Sequence, residues 1–148
     1  MLRETTFSSD TSCSVEARAF VAEQLEAAGV DQSQAFELLL ALNEAVANAC
    51  RHGYSGASDG EIRVSAGVMD SDFMMVVSDS GPGFTVTDEM FEMPDPMSSR
   101  GRGFFLMREL TDSVEVHSTE TGTTVMLVWN LAGRHSSAFH KRSPSRSR

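Results

Sequence analysis

From Ala35 to Cys50 the apolar residues recur every three or four positions, the period of a helix that buries one face. A weaker version runs through Val15, Ala19, Val21, Ala22 and Leu25. Ser12 or Ser14 is placed to cap that first helix, and Gly29 to stop it near Ala28. Asp31 or Ser33 opens the second helix, which is predicted to end near His52-Gly53. Elsewhere the period changes. Residues 62–68 alternate apolar and polar, and 73–77 form an unbroken apolar run. The polar turn Met69-Asp70-Ser71-Asp72 between them makes a hairpin. Residues 113–118 and 123–130, joined by Glu120-Thr121-Gly122, read as a second hairpin, and 4–8 as a short edge strand. A third helix begins after Gly103 and runs to Leu110. Between the hairpins, residues 85–100 show no period and carry Pro94 and Pro96. Helices early, a hairpin, one helix and a second hairpin predict an α+β fold. It is a two-layer sandwich with helices on one face of a mostly antiparallel sheet. Regular strand–helix alternation, which a doubly wound parallel sheet needs, is missing.

Charge divides the chain in two. The formal net charge is −9, yet every basic residue after Gly133 belongs to the last stretch, which ends Ser143-Pro144-Ser145-Arg146-Ser147-Arg148. Residues 1–132 hold the remaining seven basic side chains against all 21 acidic ones. The expected organisation is one domain over residues 1–132 and a disordered, basic, Ser/Arg-rich tail over 133–148, because the tail has too little apolar surface to offset its ordering entropy. An acidic body argues against direct DNA binding, which normally requires a basic footprint, and favours protein partners. No apolar run approaches the roughly 18 residues needed to span a bilayer, and the N-terminus lacks a signal-peptide core. Cys13 and Cys50 have no metal-ligand spacing and read as free thiols in a reducing cytoplasm.

Three segments carry candidate chemistry. Glu44 and Asn48 lie four apart, so the second helix stacks a carboxylate and a carboxamide on one face. Such a pair can hold a hydrated magnesium ion or orient a hydroxyl for attack. A solvated polar stripe is the commoner use of the same spacing. Asp79-Ser80-Gly81-Pro82-Gly83-Phe84 follows the apolar strand; it places a fixed acceptor, suited to the amine of adenine, beside backbone that can approach closely. Turns use the same residue types. Ser98-Ser99-Arg100-Gly101-Arg102-Gly103 runs straight into a helix, where orphan N–H groups and two arginines suit phosphate; a loop with a glycine cap reads equally well.

In this order the motifs resemble the ATP-binding fold shared by gyrase, Hsp90, histidine kinases and MutL. Glu44-Ala45-Val46-Ala47-Asn48-Ala49 with His52-Gly53-Tyr54, Gly101-Arg102-Gly103-Phe104 with Met107, and Gly122-Thr123-Thr124-Val125 resemble most the bacterial anti-sigma-factor serine kinases of partner-switching systems. The resemblance covers residues 4–131. It implies an ATP- and Mg2+-dependent protein serine/threonine kinase. Such a kinase phosphorylates a small antagonist protein and otherwise holds a sigma factor or another effector, often as a homodimer. Glu44 would be the general base and Asn48 the magnesium ligand. Asp79, Gly81 and Gly83 would read adenine, with Thr123 or Thr124 lining the pocket, and Gly101 and Gly103 would hold phosphate beneath a mobile lid at 85–100. Ser99 stands where such kinases carry an arginine, which passes the γ-phosphate contact to Arg100 or Arg102, with Arg100 the nearer. The alternative is a non-catalytic nucleotide-binding module that sequesters a partner. His52 is expected to bond locally, and the chain is too short for the helical hairpin of a sensor histidine kinase. Met74, Met75 and Met107 are expected in the core; the lid methionines could form an adaptable protein-binding surface.

Overall fold

A computed structural model describes residues 1–9, 12–53, 60–97 and 102–131. The tail at 133–148, Arg100 and Gly101 lie outside them. Five strands form one sheet: β1 (Leu2–Ser8), β2 (Glu61–Met69), β3 (Asp72–Asp79), β4 (Ser113–Thr119) and β5 (Gly122–Asn130), in the order β1-β2-β3-β5-β4. Every neighbouring pair is antiparallel. Three helices, α1 (Cys13–Ala27), α2 (Gln32–Asn48) and α3 (Gly103–Leu110), contribute buried side chains to one core with the sheet. The α+β two-layer expectation holds.

Alternation along the strands decides which side chains enter that core. In the apolar run of β3, Phe73, Met75 and Val77 are buried. Met74 and Val76 are half-buried and pair across the ladder with Val128 and Met126. Met74 therefore departs from its expected core place, while Met75 and Met107 occupy theirs. In α1 the buried stripe is Cys13, Ala17, Val21 and Leu25, at strict four-residue spacing. Val15 and Ala19, expected inside, face solvent. Val21 and Leu25 are inside as expected; the small Ala17 and the sulfur-bearing Cys13 complete the stripe, which hydrophobicity alone did not mark.

Asp31 caps α2 as expected, its carboxylate accepting from the Gln34 N–H at 2.9 Å. The α-helix stops at Asn48, and the next five residues, Ala49–Gly53, form a π-helical turn. Such turns are rare and concentrate at functional sites. Inside this one, Cys50 is bonded to Cys13 at the start of α1. The free-thiol expectation is thereby corrected: packing of α1 against α2 closes a sequence separation of 37 residues that no local spacing signals.

Candidate active site

Asn48 at the end of α2 and Ala49 of the π-helical turn meet the end of β3, the start of β5 and the start of α3 around one pocket. Its walls are Ala45, Asn48, Ala49, Val77, Asp79, Gly83, Phe84, Phe104, Thr123 and Val125. Most of this lining is carbon, with Asp79, Asn48 and Thr123 as the polar groups, the usual make-up of a small-molecule site.

Asp79 ends β3 opposite Thr123 of β5. Burial pushes its carboxyl above the usual aspartate value, and hydrogen bonds from the backbone N–H groups of Gly81 and Thr123 partly offset that rise. The Gly81 bond is 2.9 Å. Two close approaches need glycine here. A Cβ at Gly83, where φ is +77°, would lie 2.0 Å from the Thr119 carbonyl oxygen, and one at Gly122 would lie 2.4 Å from that of Asp79. The Gly83-Phe84 segment is fixed from the far side by Ser118 of β4. Its hydroxyl accepts from the Phe84 N–H at 2.9 Å and lies 2.7 Å from the hydroxyl of Thr123. Thr123 is buried in the pocket wall. Thr124, its neighbour, belongs to the other face of the sheet, where its hydroxyl lies 3.1 Å from that of Ser78. The sequence left these two threonines open; strand alternation puts Thr123 alone at the pocket.

Gly103 joins α3 to the Glu44–Asn48 face of α2. A Cβ there would lie 3.1 Å from Glu44 Oε1 and 3.6 Å from Asn48 Nδ2, so the first residue of α3 rests directly on the α2 pair. Arg102 holds the N-cap position, and the positive end of α3 lies beside Glu44 and Asn48. Among the described residues no group of three His, Cys, Asp or Glu could hold a metal. The carboxamide oxygen of Asn48 nevertheless holds a cation: the Arg51 guanidinium donates to it at 3.0 Å. A carboxamide oxygen is a hard donor of the kind magnesium takes sparsely, with substrate phosphates and water completing its shell.

Sequence reasoning missed Arg51, although its offset of three from Asn48 puts the two on one helical face. It also missed the aromatic wall. Phe84 and Phe91 both pack at a tilt against Phe104, with ring centroids at 6.0 and 5.4 Å. Phe91 belongs to a 3-10 turn, Asp88–Phe91, within the expected lid, so this stretch is docked on α3 rather than formless. Met93 and Met97 of the same stretch are largely exposed.

Residues 7–129 match the family described as the histidine kinase-like ATPase domain. The chain belongs to this family. Within the histidine kinase-like ATPases it is 31% identical over 105 residues to the serine-protein kinase RsbW of Bacillus velezensis, covering 66% of this chain and 65% of that protein. Against the anti-sigma F factor of Bacillus subtilis it is 32% identical over 101 residues, covering 65% of this chain and 69% of the relative. The RsbU and RsbW domains of a Mycobacterium tuberculosis protein share the fold with a TM-score of 0.67 at 23% identity, over 88% of this chain and 32% of theirs. Membership in an ATPase family implies ATP use. Of the residues expected from sequence, Asn48, Asp79, Gly83 and Thr123 line the pocket, while Glu44 and Gly103 meet beside Asn48.

Gly103→Ala tests the contact between α3 and α2. The added methyl group would push the Glu44 carboxylate by a few tenths of an ångström, while its distance to Asn48 is ordinary. Phosphoryl transfer from ATP, to water or to an acceptor, should fall roughly tenfold, with nucleotide affinity nearly unchanged. An unaltered transfer rate would show that this contact does not position Glu44.

Proposed function

We propose that this chain is an ATP-dependent protein serine/threonine kinase. It phosphorylates a small antagonist protein and otherwise sequesters a sigma factor or a related effector in a partner switch. The observation that carries the reading is the contact of Gly103 with both Glu44 and Asn48, which brings a carboxylate and a cation-holding oxygen together beside a pocket whose lining suits adenine. The names of the relatives, a serine-protein kinase and an anti-sigma factor, support it.

In this reading Asp79 accepts from the exocyclic amine of adenine, and the apolar walls from Val77, Phe84 and Val125 pack on the ring. Asn48 would hold magnesium, which when bound neutralises phosphate charge. The first-turn N–H groups of α3, with Gly101, Gly103 and one of Arg100 or Arg102, cradle the phosphates. The acceptor hydroxyl gives its proton to Glu44 as its oxygen bonds to the γ-phosphorus, and the bond from that phosphorus to the bridging oxygen breaks to release ADP. Positioning dominates such a transfer, so a well-placed carboxylate suffices as base. Residues 1–132 form the kinase body, which works in the cytoplasm and contacts neither DNA nor membrane directly. No helix among the described residues is long and apolar enough to cross a membrane.

Ser99, in place of an arginine, favours a second reading, a nucleotide-gated binding module that transfers little phosphate. Incubation with γ-labelled ATP, magnesium and a candidate antagonist protein separates the two. Label on a serine or threonine of the antagonist is expected; tight ATP binding beside a verified partner that stays unlabelled would select the module.

A further inference from the structure

The Cys13–Cys50 bond joins two places of different standing in the fold. Cys13 is the first residue of α1, a helix that contributes nothing to the nucleotide pocket, and it is 2% exposed. Cys50 sits half-buried inside the π-helical turn that follows Asn48. Its neighbours on either side both touch the site. Ala49 lines the pocket, and Arg51 donates to the carboxamide oxygen of Asn48 at 3.0 Å. The covalent link therefore runs from α1 into the pocket wall at the point where the helix departs from α geometry. A π-helical turn has poor intrinsic stability and persists where surrounding structure holds it. Here the tether to α1 is the covalent part of that support.

We infer that the Cys13–Cys50 pair is a redox switch on nucleotide binding. The disulfide holds Asn48, Ala49 and Arg51 in the arrangement that receives the phosphate end of ATP. The dithiol releases the turn and binds ATP more weakly. The inference rests on the nucleotide-binding part of the proposed function and not on phosphoryl transfer. Intracellular disulfides are mostly transient and regulatory, which fits a bond placed beside a ligand site.

The chemistry is thiol–disulfide exchange with a protein or small-molecule dithiol as reductant. One reductant thiolate attacks Cys50 Sγ, the more accessible sulfur, and the Cys13 thiolate leaves and takes up a proton. The second reductant thiol then displaces Cys50, leaving two protein thiols and an oxidised reductant. In the other direction a peroxide oxidises Cys50 to a sulfenic acid with release of one water. Cys13 attacks that sulfur and releases the second.

The test uses the full chain, oxidised with hydrogen peroxide or reduced with dithiothreitol. Maleimide labelling of the unfolded protein and mass spectrometry count its thiols. The oxidised form should show no free thiol and the reduced form two. ATP affinity measured with magnesium should be at least about fivefold weaker for the reduced form, within the usual range of coupling between sites. Cys13→Ser should hold affinity at the reduced value under both conditions. Hydrogen exchange at residues 49–53 should be faster in the reduced form. Equal affinities for two forms of verified thiol count would overturn the switch. So would a pair that peroxide cannot close, or a bond that dithiothreitol cannot open in the folded protein. If neither form binds ATP, the nucleotide reading fails, and exchange at 49–53 still decides whether the bond controls the turn: equal rates refute it.

Discussion

Glu44→Gln is expected to bind ATP as the wild type does and to lose phosphoryl transfer by about 10²- to 10⁴-fold, the usual worth of a positioned general base. Glutamine keeps the shape that rests on Gly103 and removes only the capacity to take a proton. Nucleotide affinity should survive because the pocket walls do not include Glu44. The measurement is single-turnover transfer from labelled ATP to the antagonist, with affinity determined on the same preparation. Full transfer by Glu44→Gln would remove the assigned base. Loss of both transfer and affinity would instead make Glu44 part of the nucleotide site.

Asp79→Asn acts at the other end of the pocket and with opposite signs on binding and stability. Hydrogen bonds to a charged acceptor contribute more than neutral ones, so ATP affinity should drop about tenfold to a hundredfold. Wild-type affinity should also fall as pH is lowered toward the raised carboxyl value, above the ordinary 3.8, because protonated Asp79 no longer accepts from adenine. The Asp79→Asn protein should lose that dependence. For folding the sign is reversed. A carboxyl whose native value is raised binds its proton more tightly folded than unfolded. Its contribution to stability is full below pH 3.8 and is lost as pH rises through the native value. At neutral pH the desolvated charge is therefore a cost, and Asp79→Asn should raise the melting temperature of the free protein while weakening ATP binding. A variant that binds ATP as tightly as wild type would take Asp79 out of the adenine site.

The site was legible where its geometry is local. Glu44 and Asn48 are one helical turn apart, and Gly103 opens a helix, so spacing alone gives the first pair a shared face and the glycine an exposed N-terminus. Asp79 and the close-approach glycine Gly83 are likewise written within five residues. The fold class follows from periods of 3.6 and 2, and so do the hairpins and the edge place of β1.

What required the tertiary structure was every relation across elements, and every choice of face where the period was ambiguous. Thr123 and Thr124 are equivalent in sequence; only the register of β5 against β3 and β4 turns one into the pocket and the other to the opposite face. An unbroken apolar run hides its own alternation, so Met74 reads as core and is not. Ser118 lies 34 residues from Phe84, and no local rule joins them. Cys13 and Cys50 meet because α1 packs over the end of α2. Their separate spacings implied free thiols, and chain proximity made a bond. Local periodicity thus determined the elements and the polarity of their faces. Packing, which brings distant segments to within van der Waals reach at no signal in either, decided which of those faces form the site.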